Sequence, residues 1–236
     1  MKKSASEFLM NLANPAVSAS VSCMDLGCLN AELREVEDSN TAFFHYDVVD
    51  GKFNHCFILG DTVYRYLRRH SSLPIELHLA VEEPERYFTV FANYGVDYVA
   101  VHYEAMTNPE KCFQLIRDAG ALPVLAYRAE TAPGDDFVYL ARQCAWILKL
   151  TVEPGFSGQE IQKGAIGHIR CMKKMLKQNS LFTRIQADGN VNKRTIARLR
   201  KAGASIFTGG TSGLFNGEKS VQQNLMELMQ AAGYEA

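Results

Sequence analysis

The chain has 236 residues, 47% of them hydrophobic and 22% charged, with a formal net charge of −1. That composition supplies one large core and offers no basic surface for nucleic acid or an anionic membrane. No apolar run approaches the roughly 18 residues of a bilayer span, and Met1-Lys2-Lys3-Ser4 leads into no apolar stretch, so a cytoplasmic protein without a signal peptide is expected.

Residues 1–15 are expected to be an N-terminal extension, in which Ser4-Ala5-Ser6-Glu7 has the pattern of a capping box for a short helix. Residues 16–236 then alternate short β-branched runs with longer amphipathic stretches and are expected to form one domain. Ala16–Val21 is the first predicted strand, followed by helical spacing over Cys28–Glu37. The second strand, Ala42–Asp47, carries His45 and Asp47 on one face, because side chains alternate along a strand. Asp50-Gly51 is a turn signal, and a helix is predicted over Thr62–His70. The third strand, Pro74–Ala80, brings His78 near its tip. A helix over Pro84–Tyr94, a strand over Asp97–His102, a helix over Pro109–Ala119 and a strand over Leu122–Tyr127 continue the alternation. Asp135–Arg142 has the weakest helical pattern. The sixth strand, Ala145–Thr151, runs into Pro154-Gly155-Phe156-Ser157-Gly158-Gln159 and a helix over Ile161–Lys177. The seventh, Phe182–Ala187, ends at Asp188-Gly189-Asn190 and is followed by a helix over Lys193–Ala202. The eighth, Ser205–Gly209, leads into Gly210-Thr211-Ser212-Gly213 and a last helix over Val221–Ala232.

Eight strand–helix units with right-handed crossovers predict an α/β fold, a single-domain (β/α)8 TIM barrel. A doubly wound open sheet is the competitor and fits less well, because no run has the character of an edge strand. The cysteines Cys23, Cys28, Cys56, Cys112, Cys144 and Cys171 are scattered without C-x-x-C spacing and are expected to be reduced, mostly buried thiols.

Barrel active sites lie at the C-terminal strand ends, where His45, Asp47, His78 and Asp188 all fall. Two imidazoles and two carboxylates there form a plausible divalent-metal site that leaves coordination positions for substrate oxygens. Taken singly, each has a blander role: the histidines bond to carbonyls and the aspartates cap turns. All four at equivalent positions favour the site. Glycine-rich loops follow the sixth, seventh and eighth strands, and their backbone N–H groups suit a phosphate. No G-x-G-x-x-G or P-loop is present, so no nucleotide is expected. His55, His70 and His168 are expected at the surface, and His102 either faces the pocket or makes a structural bond. Trp146, Met172 and Met175 are expected to pack. Lys149 either faces inward as a Schiff-base amine or points out of the barrel.

Together these strings resemble the ribulose-phosphate 3-epimerase family, from about Ser18 to Phe215. The resemblance rests on Ser20-Val-Ser-Cys-Met-Asp25, His45-x-Asp47-x-x-Asp50-Gly51, Leu77-His78-Leu79, Val81-Glu-Glu-Pro84-Glu-Arg-Tyr87, Thr151-Val-Glu-Pro-Gly-Phe-Ser-Gly-Gln159, Ala187-Asp-Gly189 with Asn192, and Ala202-Gly-Ala204. Cys23-Met24-Asp25-Leu26 and Gly210-Thr-Ser-Gly-Leu-Phe-Asn216 are similar to the allulose-6-phosphate 3-epimerase branch. The resemblance implies a homo-oligomer acting on a phosphorylated ketose, with one divalent cation (Zn, Fe, Mn or Co) per subunit held by His45, Asp47, His78 and Asp188. Asp47 and Asp188 would be the catalytic acid/base pair. Ser20 and His78 would meet the substrate, and Ser157, Gly158, Gly189, Asn190, Gly210 and Thr211 would hold its phosphate. The chemistry needs two carboxylates, because a single base returns the proton to the face it left. Departures from the family are Val49, Ala80 and Leu150 where methionines are usual, Cys56 for asparagine, Asn190 for a second glycine, and Tyr127-Arg128-Ala129-Glu130-Thr131 after the fifth strand. They imply an altered pocket, in which Arg128 either meets a phosphate or is solvated. The competing readings are a lysine-dependent sugar-phosphate aldolase or isomerase, and a silent sugar-phosphate-binding barrel.

Overall fold

A computed structural model describes residues 4–156 and 158–234. Its strands are β1 (Ala16–Ser20), β2 (Phe43–Asp50), β3 (Phe57–Ile58), β4 (Ile75–Ala80), β5 (Tyr98–His102), β6 (Leu122–Tyr127), β7 (Trp146–Leu150), β8 (Arg184–Asp188) and β9 (Ile206–Gly209). The order β1-β9-β8-β7-β6-β5-β4-β2 closes through a β1–β2 pairing, and every pair in that ring is parallel. The helices are α1 (Ala5–Asn11), α2 (Leu29–Glu37), α3 (Asp61–His70), α4 (Pro84–Phe91), α5 (Pro109–Asp118), α6 (Phe137–Ala141), α7 (Ala165–Gln178), α8 (Ile196–Ala202) and α9 (Val221–Ala231). The fold is the expected TIM barrel. Among the described residues no helix is long and apolar enough to cross a membrane.

Alternation along the strands sorts the side chains into two layers. Phe44, Tyr46, Leu77, Leu79, Val99 and Val101 join the core between sheet and helices. Phe43, Tyr98, Ala100, Trp146 and Leu148 pack inside the barrel, in step with His45, Asp47, Glu76 and His78. The lower end is closed by aromatic rings: Tyr98 and Trp146 have centroids 4.4 Å apart, and Phe43 and Trp146 5.3 Å. Helix α1 seals that end. Phe8 meets Phe43 edge-on at 6.3 Å, Tyr98 Oη donates to Ala5 O, and the Ser4 hydroxyl caps the helix by accepting the Glu7 amide. Burying a side chain such as Phe43 stabilises the fold by about 1.5–3 kcal/mol relative to leaving it in water.

Three sequence expectations need correction. Strand β2 runs three residues past Asp47, to Asp50, because it pairs antiparallel with the unforeseen β3 in a hairpin over the barrel top. Strand β8 starts at Arg184 rather than Phe182, which is 96% exposed, and ends on Asp188 itself. The six free cysteines are not mostly buried: only Cys112 is, and Cys28 and Cys171 are exposed.

Candidate active site

Parallel register assembles the site. Ser20 lies opposite His45, Asp47 opposite His78 and Leu150 opposite Asp188, so β1, β2, β4, β7 and β8 bring inward side chains near their C-terminal ends together. Asp47 Oδ1 lies 2.9 Å from both His45 Nε2 and His78 Nδ1, and Asp188 Oδ2 lies 3.3 Å from His45 Nε2. One ligand atom from each of the four residues falls within 4.8 Å of the others. The imidazoles are buried, whereas the Asp47 and Asp188 carboxylates keep 17% and 16% exposure toward the pocket.

The remaining ring nitrogens are committed elsewhere. His45 Nδ1 lies 2.6 Å from Glu76 Oε2, and Glu76, fully buried, also accepts bonds from Trp146 Nε1 and Gln186 Nε2, each at 2.8 Å. His78 Nε2 lies 2.9 Å from His102 Nε2, and His102 Nδ1 lies 3.2 Å from Glu104 Oε2. Burial pushes the His102 imidazole down to about 4 against the pull of Glu104, so it is neutral and accepts from His78. Burial alone would lower the His45 pKa, but the carboxylates of Asp47, Asp188 and Glu76 outweigh it and hold it well above its ordinary value. Burial would likewise raise Asp47; the two imidazoles overcome that and hold its carboxyl well below the usual range.

These contacts fit a divalent cation. Three carboxylates crowd one imidazole inside the barrel, and among the described residues no lysine or arginine pairs with Asp47, Asp188 or Glu76. Uncompensated buried negative charge is costly, and a metal relieves it. His45 Nε2 and His78 Nδ1 face the carboxylates while their opposite nitrogens are fixed by acceptors, the usual support of metal-binding histidines.

Above this floor opens a cavity of about 410 Å³, lined by Ser20, Asp47, His78 and Asp188 below and by Gly189, Asn190, Gly210 and Thr211 on one side. The β2–β3 hairpin, through Phe57 and Ile58, and the loop carrying Gly155 and Gly158 form the other wall. Ser157 lies outside the described residues. Gly189 has φ +110°, and a Cβ there would lie 2.5 Å from Val152 Cγ2. Thr151 Oγ1 donates to Gly189 O at 2.6 Å, which fixes the loop. Gly189→Ala is therefore expected to cost about 1–3 kcal/mol in denaturant unfolding.

Several side chains take places that the sequence left open or missed. Lys149 points out of the barrel, where its ammonium donates to the carbonyls of Arg128, Ala129 and Thr131, so it cannot form a Schiff base in the pocket. Arg128 neither lines the pocket nor lies free in solvent. Its guanidinium sits 3.7 Å above the Phe53 ring, donates to Phe53 O and lies 3.7 Å from Glu153. Phe53 in turn packs on His102 at 4.6 Å and against Val49 and Ala80, and so occupies the space beside those two small residues. His168 is half-buried rather than at the surface, with Nδ1 3.2 Å from Ala129 O. Glu76, Glu104, Phe53 and Ser22, whose hydroxyl lies 2.9 Å from Asp47 Oδ2, escaped the sequence reading.

Residues 16–215 match the model of the ribulose-phosphate 3-epimerase family. Among curated relatives, the ribulose-phosphate 3-epimerase of Methanocaldococcus jannaschii is 32% identical over 92% of this chain and 90% of its own length. That of Bacillus subtilis is 30% identical over 83% and 90%. Among solved structures, the tryptophan synthase α-subunit of Legionella pneumophila superposes with a TM-score of 0.62 at 10% identity, covering 97% of this chain and 98% of that one. That likeness concerns the barrel alone. The match across almost the whole barrel makes this chain a member of the ribulose-phosphate 3-epimerase family, an isomerase-class enzyme that epimerises a carbohydrate.

Proposed function

We propose that the chain is a metal-dependent 3-epimerase of a ketose phosphate, with D-ribulose 5-phosphate and D-allulose 6-phosphate as the two candidate substrates. The observation that carries the reading is the convergence of His45, Asp47, His78 and Asp188 under a pocket with a glycine-rich rim. A divalent cation (Zn, Fe, Mn or Co) held by those four would stabilise the negative charge that develops on the substrate's oxygens. Asp47 and Asp188 come from strands separated by β1 and β9 in the ring, which supports their acting on opposite faces of one carbon. One carboxylate takes the proton next to the ketone, and the other returns a proton to the opposite face. The buried histidines, the rings and Leu150 keep water from the reacting carbon. Backbone groups of Gly158, Gly189, Asn190, Gly210 and Thr211, with Ser157, would hold the phosphate, whose binding energy orients the sugar. The relatives' name supports the pentulose; the motifs around Cys23 and Gly210 support the hexulose.

The test is proton NMR of both sugars in heavy water with metal-replete enzyme, before and after chelation. Chelator-sensitive deuterium at C3, together with the epimer, is expected for one of them. Absence of exchange with both would overturn the reading in favour of a silent sugar-phosphate-binding barrel.

A further inference from the structure

The two oxygens of Asp47 have different surroundings. Oδ1 faces the two imidazoles at 2.9 Å each, on the ligand side of the site. Oδ2 faces two hydroxyls, Ser22 Oγ at 2.9 Å and Ser20 Oγ at 3.2 Å, and the hydroxyls lie 2.9 Å from each other. The two 2.9 Å legs are the shorter ones. They describe a chain in which Ser20 donates to Ser22 and Ser22 donates to Asp47 Oδ2. An ionised carboxylate oxygen has about two acceptor positions, so this chain leaves one of them on Oδ2 free. Ser20, Ser22 and Asp47 all line the cavity. Ser22 stands in the short helical turn that follows β1 and is half-buried.

We infer that Ser22 is a positioning residue that fixes Asp47 Oδ2 as the proton-transfer oxygen, while Oδ1 stays with the histidines. The inference rests on the epimerase reading and adds to it which atom moves the proton and which hydroxyl aims it. A carboxylate bound only through Oδ1 can turn about its Cβ–Cγ bond; the hydroxyl on Oδ2 sets its plane. When the C3–H bond breaks, its proton bonds to Oδ2 and the electron pair moves toward the ketone. The Ser22 hydroxyl suits both states of Asp47. It donates to the carboxylate, and after proton uptake it can rotate and accept from the new O–H, which a backbone amide cannot do.

The test uses Ser22→Ala and Ser22→Thr in the full-length, metal-replete enzyme, with whichever ketose phosphate the wild type epimerises. Ser22→Ala is expected to lower kcat roughly tenfold to a hundredfold, the loss of one hydrogen bond to a charged group, with KM little changed. Ser22→Thr, which keeps the hydroxyl, is expected to recover most of it. Heavy water adds a directional readout. From the epimer whose proton Asp188 removes, delivery by Asp47 is slowed, so unconverted starting sugar gains deuterium. From the other epimer, the slow step comes first and the starting sugar stays unlabelled. Metal affinity, titrated directly on the apo forms, is expected to be unchanged, because Oδ1 is untouched. Wild-type kcat in Ser22→Ala, equal losses in both variants, label gained by both epimers, or weakened metal binding would each overturn the assignment. A wild type that epimerises neither sugar, with unchanged metal affinity in Ser22→Ala, overturns the epimerase reading instead.

Discussion

Asp188→Asn and Asp47→Asn are each expected to slow epimerisation by about 10²- to 10⁴-fold, the contribution of a positioned acid or base. Asparagine keeps the size and shape of the side chain but cannot take the proton. Both carboxylates lie at the pocket surface, 16% and 17% exposed, so neither change opens the core. The two variants should differ in a way that one-base chemistry forbids. Each retains one carboxylate, so each should still exchange the C3 proton of one epimer with heavy water, and the retained epimer should be opposite in the two. Metal content measured on the same samples separates a lost ion from a lost base. Near-wild-type turnover in either variant, or exchange into the same epimer in both, would remove the two-carboxylate mechanism.

Loss of Glu76 is expected to have the largest effect on stability. Its carboxylate is fully buried and is the acceptor for His45 Nδ1, Trp146 Nε1 and Gln186 Nε2. Glu76→Ala leaves all three donors facing a cavity. Breaking a buried charged network from one side costs about 3–5 kcal/mol, which urea unfolding would register. Glu76→Gln keeps the volume but presents an amide N–H₂ among donors, so about 1–3 kcal/mol is expected. Freeing the His45 ring should also weaken metal affinity by about 10- to 100-fold in both variants. A loss below about 1 kcal/mol in Glu76→Ala would mean that water replaces the carboxylate and that the network is dispensable.

The strands were legible because their faces alternate strictly, and the same rule put His45 beside Asp47. Applied one step further it also reaches Glu76, which is two residues before His78 and therefore inside the barrel one layer down. Glu76 lies below the strand tips where barrel sites are sought, so position alone does not mark it as part of the site. Strand β3 was not legible, since a run of two residues has no period. Ser22 sits in a turn, where strand parity lapses, so its hold on Asp47 emerges only in the folded structure. The stack of Arg128 on Phe53 joins residues 75 apart in sequence, and no local pattern encodes it.

That stack makes part of the pocket a module. Arg128 holds the hairpin at Phe53 and faces Glu153, and Asn54 bonds Pro154 O across the same seam. Lys149 and Glu104 anchor the segment that carries Arg128 from behind, through its carbonyls and the Arg128 amide. The hairpin, Arg128 and the wall at Glu153 and Pro154 are thus held together as one piece. Loop grafting from a sibling barrel would have to transplant all three together, because a lone exchange strands a guanidinium without its ring.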